Sequence, residues 1–131
     1  MNFINSKKIT WIDIENSSQG DIAYLKKNFN FHPLVLSELT PPSHRPRVED
    51  YDEYLFLIFH VPFLDKTKRE VHSRELDIIV TKNHLITSRY QNILPLKALF
   101  DQCNLYDKAR ENYMNETTGH LLYYILHSIM D

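Results

Sequence analysis

The sequence predicts an α/β domain in which a mixed, partly antiparallel sheet is sandwiched by helices. Three observations predict it. Residues 54–63 (YLFLIFHVPF) are apolar almost without alternation, as in a strand covered on both faces. Residues 70–81 and 84–90 read as two further strands across short polar turns, which makes a mostly antiparallel meander. Helical patterns stand on both sides of this block, at 21–39 and from Leu94 onward.

Taken in order, residues 9–14 form a short strand, with Ile9, Ile12 and Ile14 apolar and Trp11 between them. Residues 15–20 are turn material. Asp21 caps a helix through residue 30 that puts Ile22, Leu25 and Phe29 on one face. Pro33 suits a first helical position, so 33–39 is a second short helix, ended by Thr40-Pro41-Pro42. Residues 41–46 are a loop and 47–51 are extended. In the meander, Leu55, Leu57, Ile58, Phe59, Ile78 and Val80 are the expected core. Residues 94–103 and 105–113 follow as helices. The helix at 117–131 is apolar on nearly every face over LLYYILHSIM (121–130), so burial on several sides is expected. No Gly, Pro or basic residue closes it before Asp131, and the expectation is that it continues in a longer chain. The division expected is a domain at 1–116 and the start of an outgoing helix at 117–131.

Composition excludes several functions. With 15 Lys+Arg against 17 Asp+Glu, the net charge of −2 carries no nucleic-acid or anionic-membrane footprint. Only Gly20 and Gly119 are available, too few for a Gly-rich phosphate loop. Cys103 is the single cysteine, which rules out intrachain disulfides and Cys-pair zinc sites. The apolar run 121–126, which no other exceeds, is far short of the ~20 residues a spanning helix needs.

Each chemical constellation has an ordinary alternative. Simple hairpin register places His60 opposite residue 72 or 73, where it pairs with His72 as a two-imidazole metal site; without a third ligand, two ordinary strand histidines are preferred. Glu49, Asp50, Asp52 and Glu53 offer hard oxygens but lack EF-hand spacing, and a solvated acidic edge is the better reading. Cys103 has no His near it in sequence, and Ser73 beside His72 lacks a third partner, so no enzyme is expected.

The segment His32-Pro33-Leu34-Val35-Leu36-Ser37-Glu38 reads alone as a packed short helix with an exposed acidic end. Its neighbours change that. TWIDIEN (10–16), FHPLVLSEL (31–39), HRPRVEDYDEYLFLIFHVP (44–62) and ELDIIVTKNHLIT (75–87) occur in an order that closely resembles the N-terminal cytoplasmic domain of CorA-like magnesium/cobalt transporters.

The resemblance implies an α/β/α layered regulatory domain that senses divalent metal. Its full-length parent would be a homopentamer in the inner or plasma membrane, with this domain cytoplasmic and other protomers and divalent cations as its partners. The long helix and two membrane helices that form the pore lie outside these 131 residues. The resemblance also implies a regulatory site for magnesium or another divalent cation between protomers. Glu38 matches the second acid of the family's pair, Ser37 stands in place of the first, and Asp131 lies near a further acidic stretch. No metal is required by the domain itself. A zinc-transporting relative and a stand-alone soluble α/β module are the alternatives.

Overall fold

A computed structural model describes residues 1–41 and 44–130. Six strands form one sheet in the order β1-β2-β6-β5-β4-β3. They are β1 Asn2–Asn5, β2 Thr10–Glu15, β3 Arg47–Asp50, β4 Tyr54–Asp65, β5 Glu70–Thr81 and β6 His84–Arg89. Every pairing is antiparallel except β2 with β6, which is parallel. The helices are α1 Gln19–Asn28, α2 Pro33–Glu38, α3 Leu94–Leu105, α4 Asp107–Met114 and α5 Thr118–Met130.

The central strands carry apolar side chains on both faces because both faces are covered. On one face Trp11, Leu57, Leu76, Ile78 and Leu85 pack against Leu96, Phe100, Cys103, Leu121 and Ile125 from α3 and α5. On the other, Ile12, Ile14, Phe56, Ile58, Ile79 and Ile86 pack against Leu25 of α1 and Val35 and Leu36 of α2. The result is the expected α/β/α layering. Leu57, Ile58, Ile78 and Val80 are buried; Leu55 and Phe59 are half-buried at the margin of the first core.

The parallel β2–β6 pair is pinned by buried polar groups. Trp11 Nε1 donates to Thr87 Oγ1 at 3.1 Å, Thr87 Oγ1 donates to Asp13 Oδ1 at 2.7 Å, and Arg89 Nη2 donates to Asp13 Oδ2 at 3.0 Å. Asp13, Thr87 and Arg89 are all buried, so this chain fixes register by chemistry as well as by shape.

Several elements differ from the sequence reading, each for a local reason. The strand β1 precedes the first expected one; four residues with a single buried side chain, Ile4, give too weak an alternation to read. The N-cap of α1 is Ser18, not Asp21. Ser18 Oγ accepts from the Asp21 N–H, and Asp21 Oδ2 accepts from the Ser18 N–H, a reciprocal capping box that starts the helix three residues early. The hairpin register pairs His60 with Glu75 and Phe63 with His72, because the four-residue turn 66–69 is longer than a tight hairpin turn. His60 and His72 are therefore not cross-strand partners, and the two-imidazole site is lost. Finally, α5 is buried along one stripe, Leu121, Ile125 and Ile129, while Tyr123 and Met130 face solvent. Hydropathy alone could not separate a stripe from an all-round apolar helix.

Candidate functional site

The segment around α2 is built from its N-terminus. Pro33 occupies the first helical turn, where no N–H partner is needed, and His32 caps the helix by accepting the Leu34 N–H on Nδ1 at 3.0 Å. The His32 N–H donates to the Tyr54 hydroxyl at 2.8 Å, which ties α2 to the start of β4. Ser37 Oγ donates to the Leu34 carbonyl at 2.8 Å and is exposed. Glu38, the last residue of α2, turns its carboxylate towards the sheet and accepts from Arg47 Nη2 of β3.

Arg47 is shared. Its Nε donates to Glu49 Oε1 at 2.7 Å, and Glu49 Oε2 accepts from the Tyr51 hydroxyl at 3.1 Å. The hydrogen bond to Glu38 is the leading reason that the Arg47 guanidinium is held even more firmly protonated than usual. Arg47 in turn pulls the Glu49 carboxyl below its ordinary range. Glu38 is thus a carboxylate already neutralised by a cation, not a bare ligand. A divalent ion that takes Glu38 must displace or share Arg47.

Deeper along the same face lies a second group, of which the sequence reading picked out His60 alone. Glu75 Oε1 accepts the His44 N–H at 2.6 Å, and His60 Nε2 lies 2.7 Å from the His44 carbonyl. The two side chains hold the 44–46 segment against the sheet. Asp77 is buried, only 3% exposed, between Ile58 of β4 and Ser88 of β6. Burial pushes its carboxyl up to about 9, and a hydrogen bond to Glu75 adds to that. Asp77 is therefore neutral at physiological pH. The available signal was ELDIIV, where an acid sits two residues from Ile79 and so shares its covered face.

Asp131, the other residue singled out, lies outside the described residues, as does Pro42. Among the described residues no group of three His, Cys, Asp or Glu side chains is placed to hold a metal ion. No helix among them is long and apolar enough to cross a membrane. The Cys103 thiol is buried in the first core and pushed up to about 11 by that burial.

Comparisons with known proteins bear on this arrangement. Over 82 residues the chain is 33% identical to the cobalt/magnesium transport protein CorA of Thermotoga maritima, a match covering 62% of this chain and 23% of that protein. The chain thus spans about a quarter of that curated relative. Among solved structures, the soluble domain of CorA from Methanocaldococcus jannaschii superposes with a TM-score of 0.70 at 22% identity, covering 92% of this chain and 46% of that one. The ZntB cytoplasmic domain from Vibrio parahaemolyticus RIMD 2210633 gives a TM-score of 0.70 at 15% identity, over 95% of this chain and 48% of that one. These identities speak for the fold. The model of the family described as CorA-like Mg2+ transporter protein matches residues 6–131, nearly the whole chain, and the chain belongs to that family.

Proposed function

We propose that this chain is the cytoplasmic regulatory domain of a CorA-like transporter of divalent cations, magnesium and cobalt foremost. The observation that carries the reading is the family match over residues 6–131. In this reading residues 1–116 are the domain body, and 117–131 begin a helix that leads towards membrane spans. The parent is a homopentamer in the inner or plasma membrane, this domain faces the cytoplasm, and the partners are the other protomers. The role is transport and its regulation, not catalysis.

Glu38 is the proposed metal ligand at a protomer boundary, with Asp131 a further candidate. Carboxylates gathered from neighbouring protomers repel when bare, and a divalent ion neutralises them and favours a closed ring. Here Ser37 supplies no charge and Arg47 already occupies Glu38. Magnesium gives up its water shell reluctantly, so one pre-paired carboxylate holds it weakly.

Calorimetric titration of the chain with magnesium chloride tests the site. The expected result is no saturable binding by the native chain, and measurable binding on Arg47→Ala that disappears in Arg47→Ala with Glu38→Gln. Tight binding that survives Glu38→Gln would place the site elsewhere. Transport is tested separately: the full-length reading frame should restore growth of bacteria deficient in magnesium uptake. A second reading, a zinc-transporting protein, is favoured by the likeness to the ZntB cytoplasmic domain. Zinc flux without magnesium or cobalt flux would select it.

A further inference from the structure

The hairpin β4–β5 is much longer than the sheet that supports it. Pairing with β3 reaches β4 only as far as Ile58, and pairing with β6 reaches β5 only as far as Leu76. From His60–Glu75 to Asp65–Glu70 the two strands pair with each other alone. A two-stranded ribbon is marginal in water without a covering surface. Near the tip Leu64 and Val71 stand directly opposite each other, 55% and 73% exposed, an apolar pair open to solvent.

The tip also carries a small positive excess, Lys66, Lys68 and Arg69 against Asp65 and Glu70. Asp65 caps the turn, its Oδ1 accepting the N–H groups of Thr67 and Lys68 at 3.0 and 3.2 Å. Glu70 is engaged by His72 at 3.1 Å. Lys66, Lys68 and Arg69 are exposed, and none enters an ion pair among the described residues. Pro62 removes a donor from the open edge of β4, which disfavours an added strand on that side of the ribbon.

A matching surface lies at the opposite end of β4. An open concavity of about 520 Å³ is lined by Phe31, His32, Tyr51 and Tyr54 together with Asp52 and Glu53. Tyr51 and Tyr54 stack at 4.9 Å, and Phe31 meets Tyr54 edge-on at 4.9 Å, so its floor is aromatic. Asp52 and Glu53 are exposed at its rim, and Asp52 is held with φ 67° by the Asp50 carboxylate, which accepts its N–H at 2.8 Å. Between this groove and the tip run the twelve residues of β4, roughly 36 Å of extended chain. No chain can reach its own groove with its own tip.

We propose that the hairpin tip docks into the acidic aromatic groove of a second copy of the chain. Leu64 and Val71 settle on the tyrosine floor, and Lys66, Lys68 and Arg69 meet Asp52 and Glu53. Aromatic floors with polar rims are what anchored interfaces use, and the opposite charges select the pairing. The contact joins two different surfaces, so each copy offers one tip and one groove. It stands independently of which ion the parent protein moves.

Charge exchange tests it. One variant reverses the tip (K66E, K68E, R69E) and another the groove (D52K, E53K), each checked for native circular dichroism. Sedimentation velocity, across a concentration series into the millimolar range, should show salt-sensitive self-association of the native chain. Each variant alone should associate about tenfold more weakly or worse, since like charges now face each other. An equimolar mixture should recover native association, because both contacts in it are again complementary. Geometry is read by mixing Val71→Cys with Glu53→Cys, which should cross-link to each other in preference to themselves. Four results would overturn the proposal: a native chain monomeric throughout, association unchanged in both variants, Val71→Cys linking only to itself, or a tip that binds phosphatidylserine vesicles while the chain stays monomeric. None of them would touch the family assignment.

Discussion

Asp77→Asn should stabilise the protein, and by an amount that grows with pH. In the folded chain the Asp77 carboxyl holds its proton to about 9, whereas an unperturbed carboxyl releases it near 3.8. Between those values the folded state binds one more proton than the unfolded state. Stability is then full at acid pH and falls as pH rises towards the folded value, by about 1.4 kcal/mol per unit. At pH 7 the accumulated loss has a ceiling of about 4 kcal/mol. Asparagine keeps the shape, can donate from its amide to Glu75 as the neutral acid does, and has no proton to hold. The assay is urea denaturation at pH 5, 6, 7 and 8, followed by fluorescence of Trp11, the single tryptophan and fully buried. Other titrating groups are common to both proteins and cancel in the difference. The variant should gain on the native chain at each step and lead by about 1–4 kcal/mol at pH 7. A difference that does not change with pH, or a variant less stable at pH 8, would refute the reasoning and mean that Asp77 is ionised in the fold.

Three further outcomes follow from the packing. Asp13→Ala should cost about 3–5 kcal/mol in the same assay, because it leaves the Arg89 guanidinium, only 4% exposed, without its buried counter-charge. Ser18→Ala should cost about 1 kcal/mol by opening the capping box of α1, and Ser18→Asp should recover most of it. Cys103 should stay unmodified by an aromatic disulfide reagent at pH 8 and react fully in urea, since its thiol is buried and titrates near 11; rapid labelling of the native protein would show that α3 opens easily.

What the sequence made legible depended on how local the signal was. The strands β4 and β5 announced themselves because an apolar run that ignores alternation fits a strand covered on both faces and little else at that length. Pro33 marked the first turn of α2 because its missing N–H is tolerated there. Register was harder: one turn length separates His60 opposite His72 from His60 opposite Glu75, and residue type cannot supply it. The cap of α1 was misplaced because Ser18 and Asp21 are both good caps, and only the reciprocal bond tells which one leads. At the candidate site, Glu38 could be singled out, but its attachment to Arg47 could not, since nine residues and a loop separate them. Asp77 escaped notice because a single acid in a strand reads as solvent-facing until the covered face is known.

The parallel pairing of β2 with β6 also has a consequence for the order of events during synthesis. Trp11 must find Leu85, more than seventy residues later, while β3 to β6 pair with near neighbours. At ribosomal speeds of about 5–20 residues per second, β2 waits roughly 4–15 s before its partner has been made. The meander can close first and present β6 as a template edge. β2, with β1 beside it, then docks last. Until then Trp11, Ile12 and Ile14 are an uncovered apolar strand, the segment of this protein most in need of a chaperone's attention.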